Sequence, residues 1–462
     1  MKNIISAVSV LMALAVTAEP VINNVVVRQQ WPWSTDIRID YTLSGAEDPV
    51  DVNLDFKDGE ESLAVAAGSA ALQGDVYYVR DGLHTIVVDP IKAFGTAKPM
   101  FTDFKVRLVP TAQSALPDNK VLYKIFDLVT SNVTDVTRSE LLLGKYGSVE
   151  TDYSRVGNGF STSLADVIVW TGVTNNPAYK TTKLVLRRIP AGTFLMGSPE
   201  NETFRDKSPI DKATKVNETQ HSVTLTKDFW IGVFPVTQKQ YTLITGSETI
   251  PMSKHGDITH GNKEHNPVYD LMYNDIRGSY YGAKWPENNS VDSTSVLGAF
   301  RAIFDGEIAF DLPTEAQWEY ACRGGNEGVH VLYSGKLLYP IDNNTPISNN
   351  RNEICWNYYN SLGSDQPTRT QAVGGKLPNA YGLYDMIGNV YEWVLDWAAN
   401  FTSDSVENPK GPTSGTARVV RGGDVTSYSS TYALRSAFRF GRSPSYLYDA
   451  VIPGFRVCVT EE

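Results

Sequence analysis

The stretch NAYGLYDMIGNVYEWVLDW, Asn379 to Trp397, sets the terms for the C-terminal three-fifths of this chain. Asp385 and Glu392 bracket a Gly388-Asn389 turn that exposes backbone carbonyls between two carboxylates. Hard oxygen ligands from a short bent loop suit Ca²⁺. The plainer alternative is that the acids only cap the loop. The sequence around the stretch is dense in Gly, Asn, Pro and Trp and has few long helical patterns. That combination predicts a loop-rich α+β domain whose loops are pinned by buried aromatics, hydrogen bonds or metal ions.

Working outward, LVLRRIPAGTFLMGS (Leu184 to Ser198) reads as strand, turn, strand. In FPVTQKQYTLITGS (Phe234 to Ser247), Thr237 is an N-cap with Gln240 completing a capping box, and Gly246 is a stop. LPTEAQWEYACRGG (Leu312 to Gly325) repeats the device. Thr314 caps, Gln317 reciprocates, Trp318, Ala321 and Cys322 form the buried stripe, and Gly324 ends the helix.

Nearer the N-terminus the period changes. DIRIDYTL places Ile37, Ile39, Tyr41 and Leu43 on one face. DVNLDF does the same with Val52, Leu54 and Phe56, and FKVRLV with Phe104, Val106 and Leu108. Short alternating strands separated by turn residues predict an antiparallel, immunoglobulin-like β-sandwich over 19–112. The stretch 113–183 reads as a connector with some strands, VLYKIFDLV among them. MKNIISAVSVLMALAVTA (1–18) has a positive start, a short apolar run and small residues before a cleavage point after Ala18. It is expected to be a secretory signal, placing the chain outside the cell, in a periplasm or at the cell surface. The apolar run is too short to span a membrane comfortably. A net charge of −11 argues against nucleic acid as a partner, since a phosphate backbone requires a basic face. The three cysteines, Cys322, Cys355 and Cys458, form no CxxC pair, which argues against structural zinc.

PAGTFLMGS, FPVTQKQY, LPTEAQWEYACRGG, NAYGLYDMIGNVYEWVLDW, RVVRGG, LRSAFR and PGFRV occur in this order over 184–459. Together they resemble the formylglycine-generating enzyme family, also called sulfatase-modifying factor domains. The resemblance implies a variant of the C-type lectin fold. It also implies oxidation of a client cysteine to formylglycine by copper(I) held on two cysteines between the GG and LRSAFR-like motifs. Soft thiolates select copper(I). Here Gly423 to Arg439 contains no cysteine. Hydroxyls stand there instead, at Thr426, Ser427, Ser429, Ser430 and Thr431, and the motif start is altered to Gly422-Gly423-Asp424-Val425. Copper and formylglycine chemistry are therefore not expected.

The resemblance implies structural calcium on Asp385, the backbone oxygens of Gly388 and Val390, and Glu392, with a weaker second set at Asn360, Ser361 and Asp365. It also implies a Cys322–Cys458 disulfide, although Cys458 falls one residue later than the family pattern, and on a strand such a slip changes the face. Cys355 is expected to pack as a small apolar residue. Relatives in sulfoxide synthesis hold iron on histidines. His255, His260 and His265 lie in Gly-rich loop at a spacing that suits neither a helix face nor a strand face, and His221 is read as a local hydrogen-bonding residue.

The expected function is a non-catalytic, exported binding module. Its polar, Tyr-rich cleft would comprise Asp424, Ser427, Tyr428, Ser430, Tyr432, Arg435 and Arg439 and would take a glycan, peptide or protein. The bland reading of Arg435 and Arg439 is loop-pinning. The alternative function is a metal-dependent oxidoreductase of the formylglycine-generating or non-haem-iron type, acting on protein cysteine or a small thiol. A third reading is a purely structural surface protein.

Overall fold

The computed structural model describes residues 19–29, 35–46, 50–63, 72–74, 79, 81–94, 101, 103–112, 121–142, 144–149, 168–202, 205, 216–247, 264–280, 282–325, 352–361, 370–427, 432–445 and 453–460. The expected signal segment lies outside the described residues. The chain divides into two compact units, Met1–Pro117 and Asp118–Glu462.

In the first unit the strands are β1 (Val21–Gln29), β2 (Ile37–Ser44), β3 (Val50–Asp58), β4 (Glu61–Leu63), β5 (Leu72–Gly74), β6 (Gly82–Val88) and β7 (Phe104–Ala112), with a short helix α1 (Pro90–Phe94). They form antiparallel sheets ordered β1-β2-β6-β5 and β4-β3-β7. The alternation in β2 does what the sequence predicts: Ile37, Ile39, Tyr41 and Leu43 are all buried. Val52 and Phe56 of β3 and Leu108 of β7 join them in one hydrophobic core.

The second unit contains β8 (Val121–Asp127), β9 (Val133–Thr137), α2 (Arg138–Leu142), β10 (Lys183–Ile189), β11 (Gly192–Met196), β12 (His221–Leu225), β13 (Phe229–Gly232), α3 (Gln238–Thr245), α4 (Tyr273–Arg277), α5 (Val296–Ile303), α6 (Glu315–Arg323), β14 (Tyr391–Trp397), β15 (Val406–Glu407), β16 (Arg418–Arg421), β17 (Phe440–Arg442), β18 (Pro453–Phe455) and β19 (Cys458–Thr460). Its sheets are ordered β19-β13-β10-β8-β9, β11-β12-β15 and β17-β16-β14-β18. β8 and β9 come from the stretch expected to act as connector, and β8 pairs with β10 from Lys183↔Asp127 to Arg187↔Tyr123.

Both capping boxes form. Thr237 Oγ1 accepts from Gln240 N–H while Gln240 Oε1 accepts from Thr237 N–H, and Thr314 and Gln317 do the same. Gly246 and Gly324 end their helices with left-handed backbone, which glycine adopts without steric penalty. One expectation needs correction. A single buried stripe was expected on α6, yet every residue from Glu315 to Arg323 is buried. Charged side chains have therefore been taken into the core, and burial of an unpaired charge is prohibitive. Their partners explain the architecture of the candidate site.

Candidate functional site

The loop of the opening stretch is bent by three residues with left-handed backbone, with φ of 53° at Asp385, 77° at Gly388 and 65° at Asn389. At Gly388 a Cβ would approach the Trp356 carbonyl oxygen to 2.1 Å, so only glycine fits. Asn389 N–H donates to that same carbonyl (3.0 Å), and Val425 N–H donates to Asn389 O (3.2 Å). The 385–392 loop is thereby tied to the turn that follows the GG motif.

That turn is a closed unit. Ser427 N–H donates to Asp424 O (3.0 Å). Asp424 Oδ1 accepts from Thr426 N–H (3.0 Å), Thr426 Oγ1–H (2.7 Å) and Ser427 Oγ–H (3.1 Å). This is the behaviour of an Asx turn. Asp424 and Ser427 are buried, and Ser427 O accepts from Tyr358 N–H (3.1 Å). Their side chains hold the turn rather than line a cleft, because the hydroxyls and the carboxylate satisfy one another. Tyr428, Ser429, Ser430 and Thr431, and the side chain of Tyr432, lie outside the described residues.

Arg435 and Arg439 also depart from the expected cleft. Arg435 is fully buried, with Nη1 donating to Glu202 Oε1 (2.6 Å) and Nη2 to Glu218 Oε1 (2.6 Å). Arg439 donates through Nε and Nη2 to the two oxygens of Glu315 (2.6 Å each) and stacks on Phe401 at 3.4 Å. Arg421 and Arg323 converge on Glu319, which also accepts from Gly197 N–H (2.8 Å). These are the partners of the charges buried on α6. Bidentate guanidinium–carboxylate pairing is the geometry that tolerates such burial. Sequence reasoning missed Glu202, Glu218, Glu315 and Glu319, since nothing local marks a glutamate as an interior ion.

The calcium expectation receives a divided answer. Asp385 is buried. Its Oδ2 accepts from Gly374 N–H (2.7 Å) and Oδ1 from Asn389 Nδ2–H (3.3 Å). Burial pushes its carboxyl up to about 6, against the lowering effect of the Gly374 amide and of Arg456. Gly388 O accepts from Val390 N–H (2.9 Å), so this carbonyl and both Asp385 oxygens serve the loop's own hydrogen bonds. Glu392 corrects the expectation, because its carboxylate is already engaged. It accepts from Trp318 Nε1–H (2.7 Å) and from Arg456 Nε (3.2 Å) and Nη2 (2.9 Å). Its negative charge is balanced by Arg456. At the weaker set, Asn360 Oδ1 accepts from Asn357 N–H (2.8 Å) and Ser361 Oγ–H donates to Asn357 O (2.6 Å), so both side chains serve their own loop. Asp365 lies outside the described residues.

No disulfide joins Cys322 to Cys458; all three cysteines are buried thiols. Cys458 Sγ lies 3.8 Å from Gln317 Oε1, and Gln317 is more than one helical turn before Cys322 on α6. Burial pushes the Cys322 thiol up to about 12 and raises that of Cys458 as well. Such thiols are not thiolates near neutrality, and none lies in 423–439, so this donor set does not fit copper(I). His221 Nδ1 lies 2.9 Å from Thr219 O and its ring packs on Phe401, a local role as expected. His255 and His260 lie outside the described residues. Among the described residues no helix is long and apolar enough to cross a membrane.

A tight turn after Gly422-Gly423, a carboxylate-bearing bent loop and a core of arginine–glutamate pairs coincide with a family model. Residues 172–461 match the sulfatase-modifying factor enzyme 1-like domain. The chain belongs to this family. A formylglycine-generating enzyme of Mus musculus is 37% identical over 295 residues, covering 59% of this chain and 74% of the relative. A chaperone protein LppX of Paenibacillus barcinonensis is 30% identical over 258 residues, 50% of this chain and 80% of its own length. The solved structure of Treponema denticola variable protein 1 has 24% identity and a TM-score of 0.43, over 60% of this chain and 96% of that one.

Proposed function

We propose that this chain is a family member that does not make formylglycine by the copper route and acts as an exported binding module. The observation that carries the reading is the window Gly423 to Arg439. It lacks any thiol, and its first hydroxyls are committed to the Asp424 turn. Hydroxyls near neutrality are protonated and hard, so they do not substitute for a copper(I) thiolate pair. A relative named a chaperone also supports the reading, since chaperones act by binding. The contact surface in this proposal is the run from Tyr428 to Tyr432, which follows the closed turn in sequence, and the partner is a glycan, peptide or protein. The N-terminal strands form, in this proposal, an immunoglobulin-like sandwich, and residues 1–18 direct export. Calcium is proposed as a structural clip at Asp385 and the carbonyls of Gly388 and Val390.

Glycan and peptide arrays probed with the mature chain test the proposal. Alanine at Tyr428, Ser430 and Tyr432 leaves the Asp424–Ser427 turn intact and is expected to abolish binding to any hit. Unchanged binding removes the surface from consideration. Stoichiometric copper or iron in the purified protein, or aldehyde formation on a sulfatase peptide, overturns the non-catalytic reading in favour of an oxidoreductase.

A further inference from the structure

A cavity of about 470 Å³ opens between the end of α3, helix α4 and the start of α5, and its lining includes no residue of the turn or loop described above. This volume suits a small molecule. Among its lining residues the only charged side chains are Asp275 and Asp292. Asp275 Oδ2 accepts from Met272 N–H (2.9 Å). No other hydrogen bond and no ion pair of the Asp275 carboxylate exists among the described residues. Burial raises its carboxyl above the usual range. Tyr241 also lines the cavity. It is 9% exposed, and its hydroxyl has no hydrogen-bond partner among the described residues. Burial, and then the neighbouring Asp275, raise that hydroxyl's pKa and keep it protonated. Asp292 closes over Gly278, whose φ is 95° and whose added Cβ would meet the Asp292 carboxyl at 2.1 Å. Glycine is therefore what admits the second acid to this wall.

We propose that this cavity binds a small organic cation, a primary ammonium compound seated between Asp275 and Tyr241. The Asp275 carboxylate, held only by the neutral Met272 N–H, has no cationic partner among the described residues, and a primary ammonium supplies positive charge with three donors. One reaches Asp275, a second the oxygen of Tyr241, and a third the amide oxygen of Asn274, which also lines the space. A neutral polyol would leave the charge uncompensated, and an anion would be repelled by both acids. The inference is independent of the reading of the Tyr428–Tyr432 surface.

Titration calorimetry of the full mature chain with butane-1,4-diamine tests it, with glucose and acetate as neutral and anionic comparators. The expected result is binding at one site per chain, at least about tenfold weaker in Asp275→Asn. That substitution keeps an acceptor for Met272 N–H, so helix α4 retains its cap. Tyr241→Phe removes only the hydroxyl and is expected to weaken binding several-fold. No heat with the diamine at about 10 mM, equal affinity in Asp275→Asn, or tighter binding of glucose or acetate overturns the proposal. Should Asp275→Asn fail to fold, unchanged affinity in Tyr241→Phe overturns it equally.

Discussion

Glu319→Gln is the sharpest test of the interior ion network. Glu319 is fully buried on α6. It accepts from Gly197 N–H (2.8 Å), from Arg323 Nε (2.8 Å) and Nη2 (2.6 Å), and from Arg421 Nη2. Burial alone would raise its carboxyl, but Arg323, Arg421 and the Gly197 amide outweigh burial and hold it below the usual glutamate range. Glutamine keeps the shape and one acceptor. It removes the charge that balances two guanidinium groups and sets an NH₂ donor against one of them. Breaking a buried pair in this way costs about 3–5 kcal/mol. For a domain of this size each kcal/mol moves the melting temperature by about 2 °C, so the second unit should melt about 6–10 °C lower. Fluorescence of the buried Trp318 and Trp393 follows that unit in a thermal scan. Glu264→Gln is the control. Glu264 pairs with Lys239 at 2.9 Å while 59% exposed, and it should shift the midpoint by about 1 °C or less. A Glu319→Gln midpoint within about 1 °C of the parent would show that the network contributes little and refute the reasoning.

If calcium sits at Asp385, a chelator should lower the melting temperature of the second unit, added calcium should restore it, and Asp385→Ala should abolish the response; a chelator without effect counts against the site. Asp396 should make the fold pH-sensitive. Burial and then Glu315 push its carboxyl up to about 7, while its Oδ2 accepts from Glu315 N–H (2.7 Å). Its folded value lies above that of the unfolded chain, about 3.9, so the folded state retains a proton the unfolded chain has lost. The stability it confers is complete below about pH 4 and falls as pH rises towards about 7. Asp396→Asn should flatten that slope in denaturant titrations; parallel slopes for mutant and parent sink the assignment. Thr314→Ala removes the acceptor for Gln317 N–H (3.1 Å) and should cost about 1 kcal/mol by urea midpoint, against no change if the cap is idle.

The sequence by itself determined what is local. Capping boxes at Thr237 and Thr314 and the alternation of Ile37, Ile39, Tyr41 and Leu43 were legible because helix ends and strand faces depend on neighbours a few residues away. The ordered motifs also identified the family, and the missing thiols between Gly423 and Arg439 can be read directly. Tertiary structure decided how each polar group is satisfied. Arg435 meets Glu218 across 217 positions, and Arg421 meets Glu319 across 102. Whether Glu392 would face a metal or Arg456, whether Cys458 would reach Cys322 or Gln317, and whether Ser427 would line a cleft or close a turn all depended on such distant encounters. A buried charge must find its counter-charge wherever the fold brings one, and no spacing along the chain encodes that partner.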